Sequence, residues 1–356
     1  MTSRTRRDPL PRVVALTALA VLNPACGSSP GTPDAPDDLR GELERRLDAA
    51  AMAGFSGSAL VTVDGGTVLA RGYGLADRDD GVPNAADTAY DFGSVMKDLT
   101  AAAIFKLEGE GKLRVTAALA TLFDDVPADK AEITVLQVVQ HSAGFDEYHD
   151  TEGDFEPMAR LEARQRIFAQ ELRFEPGSEV EYSNSGYTLL ADVVETVSGR
   201  GFTDYVRDEL LTPAGMQHSG FFGDPVWERV DTAIGYGDST FGSNDPAAWP
   251  YTWSLVGNGG LVTTVSDLER WLVAVWGGDV LDPAALDAYR TLYLSGASFE
   301  GKTVYGYAGG SDFGFGGYAA DCPEANTRVI LGTNASDAFD IEQLGGELAK
   351  FVLSAR

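Results

Sequence analysis

The residues of this 356-residue chain whose types and spacing could do chemistry begin with a serine and a lysine in Asp91-Phe92-Gly93-Ser94-Val95-Met96-Lys97. Apolar residues at Val95, Leu99, Ala102, Ala103, Phe105 and Leu107 follow at helical spacing, and Gly109 and Gly111 stop the run. The pattern predicts a buried helix opened by Ser94. Lys97 then shares a helical face with the Ser94 hydroxyl, one turn away. A serine is a weak nucleophile until a neighbour takes its proton, and a lysine accepts one only where its charged form is disfavoured. Flanked by Val95, Met96, Leu99 and Ala101 to Ala103, Lys97 has such surroundings, because burial penalises charge. The spacing alone is weak, since a capping serine and a solvated lysine would also satisfy it.

A second stretch, Phe174 to Tyr187, reads as a loop running into a helix and carries Tyr182 and Asn184. In an extended segment the two side chains point the same way. A packed ring with a solvated hydroxyl satisfies that pattern equally. A third group, His141, Asp146, Glu147, His149 and Asp150, reads either as metal ligands or as an acidic loop at a cleft mouth. Its histidines are too far apart for a helical ligand pair and nothing fixes the loop, so we expect no metal and no cofactor.

These residues need a frame. With 44% hydrophobic and 10% aromatic residues the chain can build a sizeable core. Leu39, Leu43, Leu47, Ala50 and Ala51 mark a helix, and Ser58 to Val63 with Val68 to Tyr73 form a hairpin around Asp64-Gly65-Gly66. Helices are predicted over Val135–Gln140, Met158–Leu172, Leu189–Val197 and Thr203–Leu211. Ser266 with Glu269 reads as a capping box for a helix through Val275, and Asp282-Pro283 starts another. Strands return at Thr303–Tyr307, Phe315–Ala320 and Arg328–Gly332, before a closing helix at Ile341–Leu353. The expected fold is α/β (α+β): one antiparallel sheet from the N- and C-terminal segments (about 39–93 and 300–356), flanked by helices, with a mostly helical part (about 110–290) inserted. The Ser94 helix would lie at the seam, where ligand clefts usually form.

The net charge of −27 repels phosphates and anionic headgroups, which excludes a nucleic-acid role. Residues 1–25 read as a signal peptide, with Arg4, Arg6, Arg7 and Arg12 ahead of an apolar run from Val13 to Leu22 too short to span a bilayer. Asn23-Pro24-Ala25-Cys26 resembles the lipobox of bacterial lipoproteins. Cys26 is therefore the expected lipidation site, with plain signal cleavage as the rival, and residues 26–38 form a flexible tether. The expected location is the periplasm or cell envelope, with membrane contact through that anchor only. Nothing in the chain specifies an oligomeric state.

Taken together, the motifs resemble the serine β-lactamase and penicillin-binding protein superfamily, in its class C, D-alanyl-D-alanine carboxypeptidase and esterase branch. The resemblance spans about residues 40–356. Phe92-Gly93-Ser94-Val95-Met96-Lys97 is similar to the nucleophile box, and Val139-Gln140-His141-Ser142-Ala143-Gly144 to the LLxHTSG stretch. Tyr182-Ser183-Asn184 is similar to the second box, and Gly259-Gly260-Leu261-Val262-Thr263-Thr264 to the GGLxST segment. The third box, Lys-Thr-Gly or His-x-Gly in the family, is matched by Tyr307-Ala308-Gly309, so Tyr307 stands where a cation usually does. Lys302-Thr303 lacks the glycine, and His218-Ser219-Gly220 falls in a helix-end segment of the family pattern.

The resemblance implies a Ser94 acyl-enzyme, with Lys97 and Tyr182 both as candidate proton acceptors: Lys97 beside Tyr182 would favour the phenolate, desolvation would favour neutral Lys97, and the sequence does not choose between them. It implies that Asn184 hydrogen-bonds Lys97 and the substrate, that Tyr307, Gly309 and Gly310 line the substrate site, and that the N–H groups of Ser94 and Gly310 form an oxyanion hole. Loops Asp146–Glu156 and Gly235–Trp253, the latter with Phe241, Trp249, Tyr251 and Trp253, are expected to wall the cleft. The missing cation favours a small ester or amide without a free carboxylate. The alternatives are β-lactam or peptidoglycan stem-peptide hydrolysis, and a non-catalytic cell-wall-binding lipoprotein.

Overall fold

The computed structural model describes residues 36–237 and 244–355; the signal segment, Cys26 and Phe241 lie outside them. In chain order the helices are α1 Pro36–Met52, α2 Met96–Gly109, α3 Val135–Val139, α4 Arg160–Ala169, α5 Asn184–Ser198, α6 Phe202–Val206, α7 Val265–Gly277, α8 Pro283–Leu292 and α9 Ile341–Ser354. The strands are β1 Gly57–Val63, β2 Gly66–Tyr73, β3 Leu75–Asp77, β4 Val82–Pro83, β5 Tyr90–Asp91, β6 Gly220–Phe221, β7 Leu261–Thr263, β8 Gly296–Phe299, β9 Lys302–Gly310, β10 Gly316–Cys322 and β11 Thr327–Thr333.

The principal sheet is antiparallel with order β2-β1-β11-β10-β9-β8, so the N-terminal hairpin joins the C-terminal strands through β1 and β11. Strand alternation divides its side chains between two cores. Ala59, Val61, Val329, Leu331, Tyr318 and Ala320 pack with Leu43 and Leu47 of α1 and Leu344, Leu348 and Val352 of α9. Leu60, Ile330 and Ala319 point the other way, into the larger core that includes α2, α5 and α7. Burial of both faces explains why β10 and β11 are buried at every position.

A second sheet, β5-β7-β6, brings the chain from the hairpin to the nucleophile candidate. Tyr90 and Asp91 pair with Thr263 and Val262, the Phe92 N–H donates to the Leu261 carbonyl at 2.9 Å, and a 3-10 turn over Gly93–Val95 leads into α2. This sheet and the β3-β4 pair are too short to show period-2 alternation, and neither was predicted.

Helix starts differ from expectation in informative ways. The cap of α7 is Thr264, whose hydroxyl accepts the Asp267 N–H at 3.0 Å, rather than Ser266 with Glu269. The expected Thr203–Leu211 helix is α6 followed by a π turn over Arg207–Leu211. Helix α5 starts five residues early, capped by Ser183, whose hydroxyl accepts the Gly186 N–H at 2.9 Å. Ser183 is therefore the last extended residue, and Asn184 is already the first helical one.

Candidate active site

The start of α2, the turn before α5 and the end of β9 converge on Ser94. Its Oγ lies 2.6 Å from the Tyr182 hydroxyl and accepts a hydrogen bond from Lys97 Nζ at 3.0 Å. Lys97 is 5% exposed, and its amine also donates to the Asn258 carbonyl at 2.5 Å and lies 4.8 Å from the Tyr182 ring centroid. Burial pulls Lys97 down from its ordinary 10.5 to about 7, against the opposing pull of the Asp154 and Glu147 carboxylates. Burial also pushes Tyr182 well above its ordinary 10, which outweighs its hydrogen bond with Ser94. The expectation that Lys97 would favour a Tyr182 phenolate is thus corrected. Two buried, mutually close groups are each cheaper to hold neutral, and the amine is the better proton acceptor near neutral pH.

Asn184 also departs from expectation. Lys97 turns to the Asn258 carbonyl, and no hydrogen bond links Lys97 to the partly exposed Asn184 amide. Asn258 was missed, although it adjoins Gly259-Gly260. Its own amide donates to Thr188 Oγ1 at 2.8 Å and to the Ser254 carbonyl at 3.2 Å, which aims the carbonyl side of that turn at Lys97.

Gly309 and Gly310 press against the nucleophile turn. A Cβ on Gly309 would stand 2.3 Å from the Phe92 carbonyl oxygen and 2.6 Å from the Ser94 nitrogen, so only glycine permits this approach. Ser311 N–H donates to the Phe315 carbonyl at 3.1 Å, and Gly310 pairs with Gly316 in the same register. Antiparallel pairs alternate between hydrogen-bonded and not, so the Gly310 N–H points away from β10. The Ser94 N–H lies in the first turn of a helical segment, where amides lack intrahelical acceptors. Both amides are thus left without a partner in helix or sheet among the described residues.

Tyr307 lies on the same strand, opposite Ala319, half-buried against the larger core. Burial and the nearby Asp98 carboxylate push its hydroxyl well above the usual phenol range. The two literal matches to the third box lie elsewhere. Lys302 and Thr303 sit at the other end of β9, opposite Phe299 and Ser298. The His218 N–H and Ser219 hydroxyl both donate to Asp267, at 2.6 and 2.8 Å.

Two further acids were missed. Asp98 accepts from Trp271 Nε1 at 2.7 Å and the Tyr289 hydroxyl at 2.5 Å, and burial raises it to about 6. Asp91, also raised to about 7 by burial, accepts the Gly93 N–H at 2.8 Å and so braces the turn before Ser94. Both sit in apolar surroundings that sequence alone reads as core. The expected cleft loops are pinned to each other: Ser254 Oγ donates to the Asp154 carbonyl at 2.6 Å, Thr252 Oγ1 to the Glu156 carbonyl at 2.7 Å, and Phe155 stacks on Phe313 at 5.0 Å. Among the described residues no group of His, Cys, Asp and Glu side chains is placed to hold a metal ion; His141 and His149 instead meet backbone groups.

A serine hydroxyl held between a buried amine and a phenol on this frame defines a serine hydrolase of the acyl-enzyme class. The chain belongs to the Beta-lactamase family, whose model matches residues 43–341. It is 28% identical over 288 residues to PbpX, a penicillin-binding-protein candidate of Bacillus subtilis (strain 168), covering 80% of this chain and 68% of that one. It is 28% identical over 229 residues to a D-aminopeptidase of Brucella anthropi, covering 61% of this chain but only 42% of that protein. The fold is also that of the D-amino acid amidase from Ochrobactrum anthropi SV3, with a TM-score of 0.75 at 22% identity over 89% of this chain and 98% of that one.

Proposed function

We propose that the protein hydrolyses small amides or esters that carry a free amine and lack a free carboxylate, through a Ser94 acyl-enzyme. Neutral Lys97 takes the Ser94 proton, directly or through the Tyr182 hydroxyl, as Oγ attacks the substrate carbonyl. The Ser94 and Gly310 amides hold the developing oxyanion, an interaction worth roughly 3 kcal/mol per donor. The proton then passes to the leaving amine or alcohol, and water resolves the acyl-enzyme. Asn184, at the mouth of α5, is free to meet the substrate amide.

Two features support the substrate class: by the family resemblance Tyr307, on β9 opposite Ala319, takes the place of a carboxylate-binding cation, and the acids Glu147, Asp154 and Asp312 around Lys97 form no ion pair among the described residues. A charge-assisted hydrogen bond is worth about 1.5–3 kcal/mol, so the loss of that cation disfavours anionic substrates, and the acids favour an ammonium. The similarity to a D-aminopeptidase and a D-amino acid amidase supports this reading. The similarity to PbpX over most of the chain supports the second, a penicillin-reactive peptidase. The test compares D- and L-phenylalanine p-nitroanilides with their N-acetyl forms, alongside penicillin acylation followed by intact mass, with Ser94→Ala as control. Preference for the free amines by about tenfold or more is expected. Preference for N-acyl-D-Ala-D-Ala or penicillin overturns the substrate class, and equal activity of Ser94→Ala and wild type overturns the enzyme.

A further inference from the structure

The motif residue that the mechanism above leaves without a task is His141. It is 4% exposed and follows α3 with a left-handed φ of 56°, a conformation that costs energy for a residue with a side chain. Its ring lies between Tyr182 and Tyr187, with centroids 5.0 and 4.8 Å away. Its carbonyl accepts the Glu181 N–H at 3.0 Å and its Nδ1 accepts the Ser183 N–H at 3.1 Å. One residue therefore grips the backbone on both sides of Tyr182 and also covers a face of its ring. Tyr187, on the other side, is itself fixed by donating its hydroxyl to the Val139 carbonyl at 2.9 Å.

We propose that His141 is a positioning residue that holds the Tyr182 hydroxyl on Ser94 by this double backbone grip and ring stack. The inference rests on the acyl-enzyme reading of Ser94 and is independent of the substrate class. The Nδ1 atom can accept only in the neutral imidazole with its proton on Nε2. Burial and the neighbouring Lys97 keep it in that form by pulling His141 down to about 3. The left-handed φ of His141 thus accompanies the contacts its ring makes with the Tyr182 segment, and strain of this kind is commonly retained at functional sites.

The test is a double-mutant cycle on an activated ester, with kcat expressed per active site titrated by a fluorophosphonate. His141→Phe keeps a ring and removes the acceptor; His141→Asn keeps an acceptor and tolerates the left-handed backbone. His141→Phe is expected to lower kcat on the order of 10- to 100-fold with KM little changed, because small misplacements of a reacting group cost that much. His141→Asn should recover part of the loss. In a Tyr182→Phe background the same substitutions should change kcat less than about twofold, since the hydroxyl they position is gone. Equal fold losses in both backgrounds overturn the proposal, as does a loss confined to the fraction of titratable sites, which would mark a purely structural role. If His141→Phe does not fold, His141→Asn carries the same cycle, and no loss of kcat in a His141→Leu or His141→Phe variant that does fold also overturns it. An absence of Ser94-dependent turnover in the wild type would overturn the acyl-enzyme reading itself, an outcome distinct from either.

Discussion

Raising the pH from 5 to 9 should carry kcat/KM for ester hydrolysis up a limb of slope one that bends over near pH 7. Lys97 must be neutral to take the Ser94 proton, and burial has brought it from 10.5 to about 7. The neutral fraction is then about 1% at pH 5, about 10% at pH 6 and about 90% at pH 8, so the rate two units below the midpoint should be roughly 100-fold under the plateau. The sign follows from the lowered value: activity is present above pH 7 and lost as the pH falls through it. A Tyr182 phenolate as base would place the limb above pH 10, because burial pushes that phenol upward.

Asp91 complicates the assignment, since burial also raises its carboxyl to about 7 and it braces the Gly93 amide. Two variants separate the groups. Asp91→Asn should leave the midpoint in place whatever it does to the plateau. Asp154→Asn removes a carboxylate that stabilises the Lys97 ammonium, so the midpoint should move to lower pH. Stopped-flow acylation by p-nitrophenyl acetate from pH 5 to 9 measures all three profiles. A flat wild-type profile, or a limb that vanishes in Asp91→Asn and ignores Asp154→Asn, refutes Lys97 as the base.

Two other perturbations probe the β9 side. Gly309→Ala places a methyl 2.3 Å from the Phe92 carbonyl oxygen, so β9 and the Ser94 turn must separate; acylation should fall by about 100-fold or more, and wild-type rates would refute the oxyanion geometry. Tyr307→Lys restores a cation beside Asp98, and penicillin acylation followed by intact mass should speed up by about 10-fold or more; unchanged acylation would show that this position does not discriminate against carboxylates.

The frame was largely legible in the sequence because its signals are local. The hairpin at Asp64-Gly65, the Ser94 helix and the last three strands each show a period and a stop within a few residues, and the Asp282-Pro283 cap is self-contained. What could not be read depends on partners distant in sequence. Lys97 meets the carbonyl of Asn258 and Asp98 meets Trp271 and Tyr289, and no spacing encodes such pairs. The early start of α5 was missed because Asn184, Ser185 and Gly186 have poor helix propensity; the Ser183 cap and the Glu147 carbonyl, which accepts the Asn184 and Ser185 N–H groups at 2.9 and 3.1 Å, decide the matter. The direction of the Tyr182 shift needed the degree of burial, which a motif does not supply.

These burial-driven shifts share a direction that bears on the proposed chemistry. Lys97 and His141 are lowered, Tyr182 and Tyr307 raised, and Asp91 and Asp98 raised, so burial moves every one of them toward its uncharged form. A reaction centre built this way does not depend on a fixed ion pair to activate Ser94; the ammonium and oxyanion that form as the proton moves must be stabilised by groups already in place around them, the Asn258 carbonyl for the Lys97 amine among them. The acids Glu147 and Asp154 act on this centre chiefly by opposing the fall of Lys97. A substrate ammonium beside them would weaken that opposition and lower Lys97 further, toward the neutral amine that the reaction needs. The proposed preference for amine-bearing substrates would then be a preference in catalysis as well as in binding, visible as an acid limb displaced to lower pH in kcat than in kcat/KM.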